Sequence, residues 1–179
     1  MDPICFTHVG DPMSKGSTVS RVLTRGNGEI VFKNGRPIVV THDSAGSKGA
    51  AHERSIGNAA LAARTAAGEP VLRGVAIEVT MRFYMQRPKG HYGTGRNAGV
   101  LKDSAPLRPI TKPDADKLER RVLDAMTGIM YGDDGQVVDT HPSKHYAGRD
   151  EAPRTEVEVR LLDQQTVGTV VADAQLALA

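Results

Sequence analysis

The sequence predicts an α/β fold, on three observations. Residues 75–85 alternate Val75, Ile77, Val79, Met81, Phe83 and Met85 with Ala76, Glu78, Thr80, Arg82 and Tyr84, the period of a strand with one buried face. Residues 116–126 set Leu118, Val122, Ala125 and Met126 in one stripe and Asp116, Arg120 and Asp124 at intervals of four on another, an amphipathic helix ending near Gly128. Residues 50–67 are rich in alanine, with Ile56, Ala59, Ala60 and Ala63 at helical spacing and Gly68 placed to stop them.

The remaining elements follow in order. Residues 4–10 read as a first strand, broken by Gly10-Asp11-Pro12 before a polar stretch that contains Lys15 and Arg21. Residues 29–33 and 36–42 flank Asn34-Gly35, a pair whose tolerance of positive φ suits a two-residue hairpin turn. Residues 86–112 hold many prolines, glycines and basic residues without sustained periodicity, so a long loop is expected there. Residues 136–140 read as a strand that Pro142 ends or offsets. In residues 154–162, Val157, Val159 and Leu161 alternate against Glu156, Glu158 and Arg160, giving a last strand. Residues 164–179 are weakly apolar with no clear period and read as a frayed tail.

With 179 residues the chain suits one domain, taken as residues 1–163 with the tail beyond. Its apolar share of 39% and charged share of 25% exclude a wholly disordered chain. Cys5 is the lone cysteine, so no disulfide forms within the chain, and it reads as a small strand residue. No signal peptide or run of about 20 apolar residues is seen, so a reducing cytoplasm and no membrane are expected. Charge is unevenly spread. Residues 82–121 carry ten Lys or Arg against four acids, whereas residues 122–179 carry four against ten, a separation that favours a polyanionic partner.

The chemistry concentrates in Lys112-Pro113-Asp114-Ala115-Asp116-Lys117-Leu118 and, after the helix, in Asp133-Asp134-Gly135-Gln136-Val137. Asp114 and Asp116 fall at the first helical turn, and Asp134 converges on them if the helix packs on the strand that follows it. A hard divalent cation such as magnesium takes oxygen ligands and keeps several waters, so two or three aspartates are a suitable supply. Singly, Asp114 or Asp116 reads equally as a helix cap and Asp133-Asp134-Gly135 as a turn. Their combination points to a cation. The six histidines, by contrast, make no zinc constellation: only His141 and His145 stand four apart, and no cysteine pair supports them.

Pro113-Asp114-Ala115-Asp116-Lys117-Leu118, then Asp124-Ala125-Met126-Thr127-Gly128, then Asp133-Asp134-Gly135-Gln136-Val137 resemble, in order and spacing, the RusA family of Holliday-junction resolvases. The family's opening Gly-x-Pro-x-Ser-Lys segment is similar to residues 10–16, with Pro12, Ser14 and Lys15. The resemblance implies a two-layer domain with a mixed sheet packed against two main helices, assembled as a homodimer. It implies a magnesium-dependent endonuclease, manganese being an alternative, that resolves four-way DNA junctions by paired symmetric nicks in recombination and repair. Asp114, Asp116 and Asp134 would be its catalytic metal ligands, with Asp133 in support. Phage or prophage origin is expected, since members are often carried there.

Two departures stand out. Lys117 replaces a common Asn, and Arg120 replaces a Lys that is functionally important in some members, keeping the charge but not the capacity to change protonation state. Arg120 and Lys15 are assigned to DNA, as is Lys144 at the basic position after the Gln-Val strand. Lys112, Arg96, Arg108 and Lys89 of the basic loop are weaker candidates of the same kind. A noncatalytic junction-binding accessory protein is the alternative. An Asp-x-Asp sugar transferase is disfavoured, because no Gly-rich nucleotide-binding fingerprint precedes the motif.

Overall fold

The computed structural model describes residues 2–162, so the predicted tail lies outside the described residues. Its centre is a mixed four-stranded sheet in the order β1-β8-β6-β7, formed by β1 (Ile4–Val9), β6 (Ile77–Met85), β7 (Val137–Tyr146) and β8 (Arg154–Leu161). β8 pairs antiparallel with both β1 and β6, while β6 and β7 are parallel. One face carries Ile4, Phe6, Ile77, Val79, Met81, Phe83, Val157 and Val159, all buried beneath α1 (Gly46–Ala66) and α2 (Ala115–Met126). The other face presents mainly polar side chains, as period-two alternation requires. The α/β class, the mixed sheet and the two main helices agree with expectation.

The helices meet closely because small residues line their contact. A Cβ on Gly57 would come within 2.9 Å of Ile129 Cδ1 and 3.1 Å of the Ala125 carbonyl, so only glycine fits there without movement. Leu118, Val122, Ala125 and Met126 of α2 are all buried, as the stripe required.

Three elements differ from expectation. β7 runs through Pro142, which pairs in register with Met81; the missing N–H is tolerated because β7 is the edge of the sheet. The turn at Asn34-Gly35 is present, with φ of 51° and 73°, but its ladder of β3 (Phe32–Lys33) and β4 (Arg36–Pro37) is short. β5 (Val39–Asp43) pairs instead with β2 (Thr18–Val22), a strand absent from the sequence reading because all five of its residues are exposed and show no alternation. Residues 86–112 contain two single 3-10 turns, Lys89–His91 and Gly95–Asn97, and fold back on themselves through bonds such as Gly93 N–H to the Val100 carbonyl.

Candidate active site

Asp114 is the residue at which α2 begins, extended at φ −72° and ψ 143°, yet its carboxylate makes no capping hydrogen bond. It faces Lys117, whose Nζ lies 3.1 Å away. That hydrogen bond and the lysine's charge, with smaller contributions from Lys112 and Lys144, hold the Asp114 carboxyl below the usual aspartate range, so it is ionised at neutral pH. Asp116 lies in the first turn and is exposed. With Lys15, Lys117 and Arg120 it lines a cleft of about 230 Å³ that residues 16–18 complete. Three predicted site residues, Lys15, Asp116 and Arg120, thus share one cleft.

Several basic side chains are already engaged. Lys15 Nζ lies 2.6 Å from Asp124 and 3.2 Å from Glu53. Burial opposes its charge, but bonds from these two carboxylates outweigh that and raise its pKa. Lys144 Nζ donates to the carbonyls of Thr111 and Pro113 at 2.7 and 2.9 Å, so it fixes the backbone that leads into Asp114. Arg108 Nη1 lies 3.0 Å from His145 Nδ1. Lys112 and Arg96 are exposed, the latter within a 3-10 turn.

Asp133 and Asp134 open the 3-10 turn Asp134–Gln136 that precedes β7. Asp133 caps it, accepting from Gly135 N–H at 2.8 Å, while Gln136 Oε1 accepts in return from Asp133 N–H at 3.2 Å. The Asp134 carboxylate is exposed and, among the described residues, has no hydrogen bond or ion pair. Its charge, after burial, is the larger of the electrostatic causes that raise the pKa of Tyr131, whose hydroxyl donates to the Leu123 carbonyl at 3.0 Å. Asp134 is therefore toward the carboxyl-terminal end of α2.

The expected convergence of three aspartates within one chain is not what the fold produces. α2 and β7 run in opposite directions: Lys144, far along β7, touches Pro113 beside the start of α2, whereas Asp134 precedes the start of β7. About 23 Å of strand separates Val137 from Lys144, at a rise of about 3.3 Å per residue. Among the described residues, the group of three possible metal-ligating side chains whose donor atoms lie within 4.8 Å of one another is Glu78, Asp139 and His141, on the polar face of the sheet. There His141 Nε2 sits 3.0 Å from Glu78 and 3.5 Å from Asp139, and Arg160 approaches Glu78 at 4.0 Å, a cluster of polar side chains at the surface.

Residues 29–160 match the family described as endodeoxyribonuclease RusA. The chain belongs to the RusA family. It is also 33% identical over 160 residues to the uncharacterized protein YqaN of Bacillus subtilis (strain 168), an alignment covering 89% of this chain and 97% of that protein. The RusA match takes in Asp114, Asp116, Asp133, Asp134 and the basic loop, while residues 10–16 precede it. Membership makes nuclease chemistry on DNA the activity of the group to which this chain belongs.

This RusA chain also has a residue that sequence reasoning passed over. Arg121 is wholly buried, with its guanidinium bonded twice to the Ser14 carbonyl, to the Gly49 carbonyl at 2.7 Å, to Asp43 at 2.9 Å and to Glu53 at 3.3 Å. It ties the segment bearing Lys15, the end of β5 and the first turns of α1 to α2. Burial works against the charge of Asp43, but the Ala45 N–H and Arg121 more than compensate and lower its pKa. The signal was available: Arg121 stands three residues after Leu118 and beside Val122, on the apolar stripe itself.

Proposed function

We propose that this protein is a divalent-cation-dependent, structure-specific endonuclease that resolves four-way DNA junctions by paired symmetric nicks, acting as a homodimer in the cytoplasm of a bacterial host. The observation that carries this reading is the placement of Asp114 and Asp116 at the amino-terminal end of α2, among Lys112, Lys117 and Arg120, in a chain of an endodeoxyribonuclease family. Phage or prophage origin fits this reading.

The donor chemistry fits magnesium or manganese. Asp114 is ionised and uncommitted to capping, Asp116 is exposed, and Asp134 has a carboxylate without an internal partner among the described residues. Bound at these oxygens, a hard cation would activate a water and neutralise charge developing on the phosphate. Around it, Lys117 keeps Asp114 deprotonated, and Lys144 fixes the carbonyls of residues 111 and 113, so the approach to Asp114 is rigid. Arg120 and Lys112 are exposed beside the carboxylates and suit phosphate, Arg120 with a planar fork. Asp133, spent on capping, holds the turn that carries Asp134.

Homodimer formation supplies what one chain lacks. If a two-fold axis sets the α2 helices of two protomers antiparallel, Asp134 of one lies beside Asp114 and Asp116 of the other, and two equivalent sites arise. The exposed Val19, Val22, Phe32 and Val39 of the β2–β5 arm offer apolar surface for a partner copy to bury.

The test incubates the protein with a synthetic four-way junction and a matched linear duplex, in magnesium or in EDTA. Symmetric nicks in the junction alone, dependent on the metal and abolished by Asp114→Asn with junction binding retained, are expected. A fully active Asp114→Asn variant refutes the assignment. Binding without nicks in either magnesium or manganese makes the protein a noncatalytic junction-binding accessory.

A further inference from the structure

Leu107 and Ile110 are the most exposed large apolar side chains among the described residues, at 84% and 81% of full accessibility. They stand one on each side of Arg108-Pro109, and Pro109 is buried. The segment is clamped at both ends: Arg87 Nη1 donates to the Pro106 carbonyl at 2.9 Å, and Lys144 Nζ donates to the Thr111 carbonyl at 2.7 Å. Arg87 is itself stacked on Tyr146, 4.1 Å from the ring centre, and Arg108 is tied to His145. Two aliphatic side chains are thus held outward on a fixed frame, with no core to explain them, Leu107 directly before Arg108 and Ile110 between Arg108 and Lys112.

Their distance from the chemistry is bounded by the chain. Ile110 stands four positions before Asp114, a backbone reach of at most about 14 Å. At about 3.4 Å per base step that is no more than about four steps along a strand. A stacked duplex must first be unstacked, at an energetic cost, before an aliphatic side chain can cover a base face, whereas a branch point has base pairs whose stacking partner is already missing on one side. Proteins that kink duplex DNA insert Leu and Ile between base steps, beside Arg and Lys.

We propose that Leu107 and Ile110 form an apolar wedge that packs on the base faces exposed at the centre of a four-way junction, with Arg108 and Lys112 on the flanking phosphates. The inference rests on the junction-nuclease reading for its ligand. It assigns to the loop the discrimination of branched from linear DNA, while α2 carries the cleavage chemistry.

The experiment compares the full-length protein with a Leu107→Ser/Ile110→Ser variant in EDTA. It measures the affinity of each for a four-way junction and for linear duplex at one salt concentration, and the fluorescence of 2-aminopurine placed at the branch. The double variant is expected to lose preference for the junction by at least about tenfold, the loss that follows when roughly two aliphatic side chains no longer bury their surface. Duplex affinity should hold, and the 2-aminopurine change seen with the unmodified protein should vanish. An unaltered preference and signal overturn the wedge. So does a variant whose solution mass falls from dimer to monomer, which makes this patch an interface between copies. Nicking in magnesium separates the two readings. Wild-type cleavage with unaltered selectivity in the variant refutes the wedge alone, while absent cleavage with wedge-dependent branch binding refutes the nuclease alone.

Discussion

Mixing two inactive variants tests whether the catalytic site is divided between protomers. Asp114 begins the twelve-residue α2, about 18 Å long at about 1.5 Å per residue, and Asp134 lies toward its far end. If each site takes Asp114 and Asp116 from one chain and Asp134 from the other, Asp114→Asn and Asp134→Asn homodimers each have two damaged sites. A heterodimer of the two places both substitutions in one site and leaves the second intact. Random exchange of equal amounts gives heterodimers as about half of all dimers, each with one of two sites working, so about a quarter of the wild-type sites return. The assay is junction nicking in magnesium after subunit exchange, with exchange verified by a tagged partner. The products should be predominantly single nicks, because the paired second cut has no site. A mixture as inactive as its parents, with exchange demonstrated, refutes the divided site and returns the three aspartates to one chain or none.

Further outcomes follow from side chains described above. Arg121→Ala strands Asp43, Glu53 and two carbonyls around an empty volume and should destabilise the fold by about 3–5 kcal/mol in urea unfolding, the range for breaking a buried ion pair; a loss below about 1 kcal/mol contradicts the clamp. Stability should also decline on acidification between pH 6.5 and about 4, because burial first, then His8 and Arg121, lower the His52 pKa to about 4. Unfolded chains then bind a proton that the folded imidazole refuses, so the neutral form's advantage is whole above pH 6.5 and erodes below it. The shift corresponds to about 3 kcal/mol for a fully buried group, and solvent screening of this half-buried ring reduces it to about 1.5. His52→Gln should flatten that part of the profile, and an unchanged slope counts against His52 as its source. Lys144→Met removes both carbonyl contacts at the approach to Asp114 and should lower the rate of nicking about tenfold or more with little change in junction affinity; weaker binding at an unaltered rate makes it a phosphate contact instead.

How far the sequence could be read depended on whether neighbours along the chain or neighbours in space decide a feature. β6 and α2 were legible because their periodicity is their burial: Ile77, Val79, Met81 and Phe83 lie inward, as do Leu118, Val122, Ala125 and Met126. The hairpin turn was legible through Asn34-Gly35, whose backbone takes the left-handed conformation. Thr18–Val22 carries no periodic signal, since both sides of β2 are exposed. Continuation of β7 past Pro142 depended on its being an edge strand, which local sequence does not express. For the site, Asp114 and Asp116 at the head of α2 were legible, but their distance from Asp134 was not. A strand that follows a helix by a short turn begins near the helix's end, and this direction reversal separates carboxylates that a linear motif sets side by side. Arg121 was hidden for a different reason: a cation on an apolar stripe makes sense only with Asp43 and Glu53 in place, both distant along the chain.

Pro142 limits how copies of this protein can join. An outer strand normally offers a template on which a second chain adds its own, and repetition of that step yields fibres. With no amide hydrogen at mid-strand, the rim of β7 interrupts the pattern a newcomer would have to follow, while its pairing with β6 is maintained. Open-ended growth by strand addition along that rim is therefore discouraged.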